Sequence, residues 1–430
     1  MAAKKLILIV IDGLTPAMLE DTLERRAAPA LAVLAENGRY RRAVSTFPSL
    51  TPVCLSALAT GAHPDVHEIP HLVWYHRGER RLVEYGSSFG AVRAAGTRQS
   101  LVDTIYGLNG SHLGRGAVTV YEALEDAGLT AAAVNITCYR GRHAHRPTVP
   151  FLTREAQGPS RFFFYNLFES DVTGAPLAVR NRPRGTIDAY AAAVGRWLVT
   201  RDGFDFLVFY LSDYDYASHV QGPGAAHAAL ARCDDAVGTL IEAAGGADEF
   251  LERYAVVLCA DHGQTTVTEV ARLQDSFPDE LVTASNRAGM VYAPEADPGV
   301  LARRLDGNPA VDVAMWRDGG RAVVRRDGAD GSPADLEHPD AVARVTAALA
   351  NPNAGELIVS AASGWEFADL GGRHHAGGGS HGSLVLGDSE VPMLTVGLDA
   401  LPASIVEVMP AVLGHFGVEP PPYARPLART

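Results

Sequence analysis

Five short runs of apolar residues punctuate this chain and are separated by longer stretches with a helical pattern. The runs occupy residues 6–11, 130–136, 204–211, 254–260 and 392–398. Runs of this length that do not alternate with polar residues are typical of strands buried on both faces, as in a parallel sheet. The pattern therefore predicts five buried strands of a mostly parallel sheet.

Helical patterns fill much of the chain between the predicted strands. They cover residues 16–37, 52–60, 118–127, 186–200, 224–245 and 402–416. Strands that alternate with helices predict an α/β fold in which a central, mostly parallel sheet carries helices on both faces. Ligands of such sheets bind beyond the carboxyl ends of the strands, so polar residues that follow strands are the first candidates for a site.

The stretch from 267 to 370 follows a different pattern. Short apolar segments and helical patterns alternate there with Gly, Asp and Pro, which punctuate loops. We interpret this stretch as a small α+β insertion, a cap or lobe, that precedes the last core strand. The sequence thus predicts a core in two parts, residues 1–266 and 371–430, interrupted by an inserted lobe at 267–370.

Composition and charge narrow the range of partners and compartments. A formal net charge of −13 and a sequence pI near 5.6 argue against nucleic-acid polymers and anionic membranes as partners. No stretch approaches the ~18 consecutive apolar residues of a membrane span, and the first apolar run is too short for a signal peptide. Four scattered cysteines, Cys54, Cys138, Cys233 and Cys259, form no C-x-x-C pair. They predict reduced thiols and a cytoplasmic location, whereas the oligomeric state is left open.

Two of the predicted strands end in acidic residues followed by glycine. Asp12-Gly13 follows the first run, and Asp261-His262-Gly263 follows the fourth. A carboxylate or imidazole at the carboxyl edge of the sheet is placed to bind an ion, and the glycine lets the backbone turn sharply. The simpler interpretation of each acid is a helix cap or a turn.

Two further segments carry Asp and His at spacings that suit a metal site. Asp215 and His219 lie four residues apart after the third run, so on a helical turn they face the same way. Asp213 is an alternative ligand there. His381 lies in the glycine-rich segment HHAGGGSHG, shortly before the last strand, where a flexible linker is the simpler account. His374 and His375 compete with it for the role of ligand.

A Thr-Pro pair marks the start of the second predicted helix. Thr51 is in the position of an N-cap and Pro52 in the first helical position. Capping alone explains this threonine. A hydroxyl at a helix N-terminus also lies in a positive field that favours a bound phosphoryl group. Such a hydroxyl is a weak nucleophile until metal coordination lowers its pKa.

The order Asp-Gly, Thr, Asp-x-x-x-His, Asp-His-Gly and Gly-x-His-Gly resembles the alkaline phosphatase superfamily, above all its nucleotide pyrophosphatase/phosphodiesterase branch. The resemblance spans residues 6–67, 204–266 and 376–398. It implies two divalent metal ions, and the mixed carboxylate and imidazole donors suit Zn²⁺. The ligands that it implies are Asp12, Asp261, His262 and Thr51 for the first ion, and Asp215, His219 and His381 for the second. Thr51 would also be the nucleophile.

The nucleophile assignment rests on a count of residues. The family usually places its nucleophile nine residues before a Thr-Gly pair, and counting back from Thr60 gives Thr51. Thr46, in the local text Thr-Phe-Pro, is the runner-up. The diesterase branch commonly has an asparagine three residues after the nucleophile, where this chain has Cys54, and Glu68 replaces a usual glycine. The spacing and the preceding Pro-Ser also look like phosphonoacetate hydrolases.

The choice between a monoester and a diester substrate depends on cations. Monoesterases of this superfamily usually offer the extra negative oxygen a lysine or arginine, and the chain has only Lys4 and Lys5. Arg140, and beside it Arg142, are the remaining candidates, although both fit solvated loop positions. The sequence therefore predicts a small phosphorylated substrate with a phosphodiester or phosphoanhydride bond. Alternatives are a phosphomonoesterase, a phosphonate hydrolase or a non-catalytic binding protein on the same scaffold.

Overall fold

The computed structural model of the chain describes residues 3–148, 153–165, 167–171 and 186–424. An eight-stranded sheet forms its centre. In spatial order its strands are Arg39–Val44, Glu390–Val396, Tyr254–Cys259, Lys5–Ile11, Phe206–Leu211, Ala131–Val134, Arg161–Phe164 and Phe168–Asp171. The predicted α/β fold, with a mostly parallel central sheet and helices on both faces, is confirmed.

The direction of one predicted core strand was wrong. Five neighbouring strands, from Tyr254–Cys259 to Arg161–Phe164, run parallel, and four of them match predicted apolar runs. Glu390–Val396 is antiparallel to Tyr254–Cys259. The reason is the point at which the chain enters this strand. Gly263 follows Tyr254–Cys259, and Asp388 precedes Glu390–Val396. The amide of Gly263 donates to the carbonyl of Asp388 over 3.0 Å. The strand therefore starts at the carboxyl edge of the sheet and runs back from it.

Three strands of the sheet match none of the five predicted apolar runs, namely Arg39–Val44, Arg161–Phe164 and Phe168–Asp171. Arg39–Val44 forms an edge, and its first four residues are exposed arginines and a tyrosine. An edge strand needs only one face and one neighbour, so its sequence can stay polar. Arg161–Phe164 buries Phe162, Phe163 and Phe164 in the main core.

Helices cover both faces of the sheet. Pro29–Glu36, Ile187–Thr200 and His227–Ala244 pack together in one layer, and Thr51–Thr60, Val120–Asp126 and Val408–His415 in the other. The other α-helices are Pro16–Glu24, Pro64–His67, Phe89–Ala95, Thr97–Val102, Asp213–Gln221, Ala247–Arg253, Pro298–Arg303, Ala341–Ala350 and Leu386–Ser389. The single helix expected at 16–37 is two helices, because the chain turns through Arg26 at φ 54° and the second helix restarts at Pro29. No helix in the described ranges is long and apolar enough to cross a membrane.

A second, six-stranded antiparallel sheet lies wholly within the stretch 267–370. Its spatial order is Leu281–Ser285, Ala288–Tyr292, Leu357–Ala361, Val311–Asp318, Arg321–Arg326 and Ala329–Gly331. Separate apolar clusters cover its two faces, one beneath Pro298–Arg303 and one beneath Ala341–Ala350. We call this sheet with its helices the lobe, and the bounds of the division into core and lobe stay a prediction.

Candidate metal centre

Three adjacent parallel strands deliver acidic side chains to one edge of the central sheet. Lys5–Ile11 lies between Phe206–Leu211 and Tyr254–Cys259 and runs parallel to both. Their carboxyl ends therefore coincide, and Asp12, Asp215 and Asp261 follow those ends by one, four and two residues. All three carboxylates are buried.

The first group of candidate ligands consists of Asp12, Asp261 and His262. Nε2 of His262 lies 3.3 Å from Oδ1 of Asp12 and 3.6 Å from Oδ2 of Asp261. The three donor atoms are close enough to share one ion. This is the set that the resemblance implies for the first metal.

The hydrogen bonds of this group leave one oxygen of each carboxylate unpaired. The amides of Gly13 and His262 donate to Oδ1 of Asp261 over 3.2 and 3.0 Å. The hydroxyl of Tyr210 donates to Oδ2 of Asp12. Oδ2 of Asp261 and Oδ1 of Asp12 are buried without a hydrogen-bond partner, which is costly unless a cation meets them. The donor set therefore fits a metal ion.

The second group consists of Asp215, His219 and His381. Asp215 and His219 share one face of the helix Asp213–Gln221, with Nε2 of the histidine 3.2 Å from Oδ2 of the aspartate. His381 arrives from the glycine-rich segment and places Nε2 3.9 Å from Oδ1 of Asp215. Its ring stacks on His262 with centroids 3.6 Å apart, so the two groups adjoin.

Each of the three histidines has its Nδ1 atom engaged by a backbone carbonyl. His219 bonds Gly379 over 2.8 Å, His381 bonds Ser49 over 2.8 Å and His262 bonds Gly263 over 3.0 Å. A carbonyl only accepts, so Nδ1 must carry the proton and Nε2 presents a lone pair. Metal-binding histidines in proteins are held in this way.

The electrostatics of the two groups also favour cations. Burial, together with the charges of Asp261 and Asp215, raises the pKa of Asp12 well above its ordinary value. Burial likewise raises the pKa of Asp261 and lowers that of His381. For Asp215, burial acts in the same upward direction, but the neighbouring imidazoles of His219, His381 and His262 together outweigh it and lower the pKa. Divalent ions among these side chains would relieve the repulsion between the carboxylates.

Thr51 faces the first group. Its hydroxyl lies 3.1 Å from Nε2 of His262. The expectation that it caps its helix was wrong, because the cap position belongs to Leu50 and Thr51 is the first residue of the helix Thr51–Thr60. The hydroxyl is thus directed at the candidate metal site rather than at the amides of its own helix.

The rival residues lie in other environments. The hydroxyl of Thr46 is 2.9 Å from Nδ1 of His63. Asp213 belongs to neither group. His375 stacks on His219 at 4.1 Å, but its Nδ1 is 3.1 Å from a carboxylate oxygen of Glu366. His374 is exposed.

Arg140 does not join the site. Its guanidinium pairs with Glu122 over 3.3 Å and donates to the carbonyls of Leu113, Gly114 and Ala117. These acceptors engage its N–H groups within the segment that starts the helix Val120–Asp126, and its contact with substrate stays a prediction. Arg142 pairs with Glu122 and Asp126 in the same region.

Three site contacts were missed by sequence reasoning. Tyr210 holds Asp12, Gln264 donates to Oδ1 of Asp215, and Asn286 of the lobe lies beside His381. The tyrosine hydroxyl at the end of an otherwise apolar run, and the glutamine directly after Asp261-His262-Gly263, were available signals. No sequence signal pointed to Asn286, because only the fold brings the lobe to this edge of the sheet.

Gly13 offers a direct test of how closely the two groups approach. It has φ 68°, and a Cβ atom there would lie 2.8 Å from Oδ1 of Asp215 and 2.9 Å from Nε2 of Gln264. We expect Gly13→Ala to lower the free energy of unfolding by about 1–3 kcal/mol and to weaken zinc binding about tenfold or more. Thermal unfolding and zinc titration measure both effects.

Gly128→Ala is the matched control for that variant. Gly128 has φ 84° with open space around its Cβ position, so it reports backbone strain alone. Equal losses of zinc affinity in the two variants would contradict the close packing of Gly13 against Asp215.

Comparison with known proteins agrees with this geometry. The family model of type I phosphodiesterase/nucleotide pyrophosphatase matches residues 6–384. That range starts in the first core strand and extends beyond His381, so it includes both groups and Thr51. The chain belongs to this family. As a type I phosphodiesterase/nucleotide pyrophosphatase it is a phosphoric ester hydrolase, which confirms the predicted enzyme class.

Solved structures of this fold show what this family member is similar to. Phosphonoacetate hydrolase from Sinorhizobium meliloti, in complex with phosphonoformate, is 19% identical with a TM-score of 0.66 over 96% of each chain. Murine ectonucleotide pyrophosphatase/phosphodiesterase 5 is 13% identical with a TM-score of 0.67, over 98% of this chain and 97% of its own. An inactive variant of the murine protein with threonine replaced by alanine, in complex with AMP, gives a TM-score of 0.68 at 13% identity, over 98% of this chain and 96% of its own. No curated protein matches the chain significantly.

Proposed function

We propose that the chain hydrolyses phosphodiester or phosphoanhydride bonds of small molecules, with Thr51 as the nucleophile and two divalent ions, of zinc by preference, as cofactors. The observation that carries the proposal is the position of the Thr51 hydroxyl, 3.1 Å from Nε2 of His262 and within the reach of an ion shared by Asp12, Asp261 and His262. Nucleophile and electrophilic centre are thus adjacent.

The two halves of the reaction follow from the residues present. The Thr51 hydroxyl loses its proton to solvent and Oγ1 attacks phosphorus, the bond to the leaving group breaks, and the leaving oxygen departs with the electron pair and takes up a proton. Water then attacks the phosphothreonine and returns the threonine hydroxyl together with the phosphate product. Divalent ions in the two groups would lower the pKa of the threonine hydroxyl and neutralise charge on the attacking and leaving oxygens.

The surrounding protein supports this chemistry by holding its groups in place. The N-terminus of the helix Thr51–Thr60 adds a positive field at the nucleophile, which favours a phosphoryl group. Backbone carbonyls fix the three imidazoles, and Tyr210 and Gln264 fix two of the carboxylates. Preorganised groups of this kind need little rearrangement as charge develops.

Two observations favour a diester or anhydride over a monoester. Lys4 and Lys5 lie at the opposite, amino end of the first strand, and Arg140 is committed to Glu122. Neither the two lysines nor Arg140 therefore offers a cation to the second negative oxygen of a monoester. The murine relative, described as a nucleotide pyrophosphatase/phosphodiesterase and bound to AMP, supports a substrate of this class, and its inactive threonine-to-alanine variant supports a threonine nucleophile.

Phosphonate hydrolysis is the second candidate. The phosphonoacetate hydrolase is bound to phosphonoformate in one structure and to phosphonoacetate in another, and both cover 96% of this chain. Cys54, three residues beyond Thr51, is fully buried. Its thiol lies 3.3 Å from the hydroxyl of Ser45, and this position does not offer the amide of the asparagine that the diesterase branch commonly has there.

The deciding experiment compares three substrates on one zinc-loaded preparation. We expect bis-p-nitrophenyl phosphate to be hydrolysed with kcat/KM at least about tenfold above p-nitrophenyl phosphate and phosphonoacetate. Metal analysis of the same sample should give two zinc ions per chain. If the monoester or the phosphonate were hydrolysed faster than the diester, that substrate class would replace the diester in the proposed function. A protein that takes up no metal and hydrolyses none of the three would be a binding protein.

A further inference from the structure

The tip of one lobe hairpin reaches the second group of ligands. Strands Leu281–Ser285 and Ala288–Tyr292 are joined by Asn286 and Arg287 alone. The amide of Arg287 donates to the carbonyl of His381 over 2.9 Å. The lobe is therefore bonded to the segment that carries a candidate ligand.

Arg287 fixes this tip rigidly. Its side chain is fully buried and forms an ion pair with Asp388 over 2.7 Å. It also donates to the carbonyls of Trp365 and Ala362 over 2.9 and 2.8 Å. The neighbouring Asn286 thus projects from a tethered part of the lobe rather than from a free loop.

The orientation of the Asn286 amide follows from its neighbours. Nδ2 lies 3.0 Å from Nε2 of His381, and the hydroxyl of Ser285 donates to Oδ1 over 3.2 Å. Nδ1 of His381 must donate to the carbonyl of Ser49, so Nε2 is an acceptor and the amide nitrogen is the donor that faces it. Asn286 is buried, with 7% of its surface exposed.

An ion bound by Nε2 of His381 would take the lone pair that this amide now uses. The N–H group of Asn286 would then be a buried donor without an acceptor, which is unfavourable. A ligand oxygen on the same ion would replace the imidazole as acceptor. We propose that Asn286 donates a hydrogen bond to a phosphoryl oxygen of the substrate at the second metal site, an inference that rests on the proposed function.

The inference assigns the lobe a part in substrate binding. The core supplies the ligands and Thr51, and the lobe supplies an uncharged donor to the phosphoryl group. A neutral donor stabilises a singly charged diester without requiring the second negative oxygen of a monoester. Asn286 also sits at φ 56°, a left-handed conformation that asparagine and glycine tolerate better than other residues.

The test measures binding of inorganic phosphate to the zinc-loaded protein by calorimetry, with zinc content determined on the same samples. Asn286→Gly removes the amide and keeps the left-handed backbone unstrained. We expect two zinc ions per chain to be retained and phosphate affinity to fall about 10-fold or more, because a hydrogen bond to a charged oxygen is lost. Asn286→Asp, which exchanges the donor for a negative oxygen, should weaken phosphate at least as much.

The control is Asp327→Gly, at an exposed lobe position with φ 50° that is far from the hairpin tip in sequence. It should bind phosphate as the parent does. Phosphate affinity within twofold of the parent in Asn286→Gly, with zinc retained, would overturn the inference alone. Loss of zinc in Asn286→Gly would overturn it too, because the residue would then support the metal site. A parent protein that binds neither zinc nor phosphate would overturn the proposed function and this inference together.

Discussion

Replacing Thr51 with alanine is expected to abolish hydrolysis of bis-p-nitrophenyl phosphate while both zinc ions stay bound. Asp12, Asp261 and His262 still present three donors to the first ion, and the second group is untouched. The covalent route, however, loses its only attacking oxygen. We expect kcat to fall about 10⁴-fold or more, as removal of a nucleophile typically does. Steady-state kinetics and metal analysis on one preparation measure both quantities.

Thr46→Ala is the matched control, since Thr46 is the runner-up for the nucleophile in the sequence. Its side chain bonds His63 over 2.9 Å, so alanine there should cost about 1 kcal/mol of stability. Turnover should stay within about tenfold of the parent. The reverse result, an active Thr51→Ala and an inactive Thr46→Ala, would move the nucleophile to Thr46. A phosphorylated peptide containing Thr51, found by mass spectrometry after acid quench, would identify the attacking atom directly.

Much of the fold could be predicted because strands that are buried on both faces must be apolar along their whole length. Four of the five apolar runs became parallel strands of the central sheet. The fifth, Glu390–Val396, has the same composition but runs antiparallel, because direction depends on where the preceding chain enters the sheet. Arg39–Val44 escaped detection for the opposite reason, since an edge strand can be polar.

The site could be predicted to the extent that it is tied to strand ends. Asp12 and Asp261 follow neighbouring strands, so their meeting is a consequence of sheet order. His381 required the glycine-rich segment to return across the sheet, which the resemblance implied and periodicity did not. The role of Asn286 could not be predicted from the sequence, because its approach to His381 depends on how the whole lobe packs against the core. Arg140 shows the converse. Composition suggested it as a cation for the substrate, but its guanidinium pairs with Glu122.

Asp12→Asn should have opposite effects on the protein with and without zinc. In the metal-free protein the Asp12 carboxylate is buried beside Asp261 and Asp215, and burial together with their charges raises its pKa. Asparagine removes that repulsion, keeps an acceptor for the Tyr210 hydroxyl and can donate to Nε2 of His262, now 3.3 Å from Oδ1. We expect the free energy of unfolding without zinc to rise by about 1–3 kcal/mol.

In the presence of zinc, we expect Asp12→Asn to be harmful instead. Loss of one carboxylate from the first group should lower the zinc content from two ions toward one per chain and diester turnover about 10³-fold or more. Zinc should therefore raise the melting temperature of Asp12→Asn less than that of the parent, because stabilisation by a ligand follows its affinity. Calorimetric melting curves with chelator and with excess zinc separate the two effects.

Asp234→Asn is the control for the predicted effects of Asp12→Asn. Asp234 is also a buried carboxylate, but it accepts from the amides of Leu31 and Ala30 over 2.8 and 3.3 Å and belongs to neither group of candidate ligands. Its replacement should lower stability in both conditions and leave the zinc content unchanged. If Asp12→Asn instead lost stability without zinc, as Asp234→Asn should, the carboxylate cluster would be held by internal hydrogen bonds. Its charges would then not be evidence for a cation site.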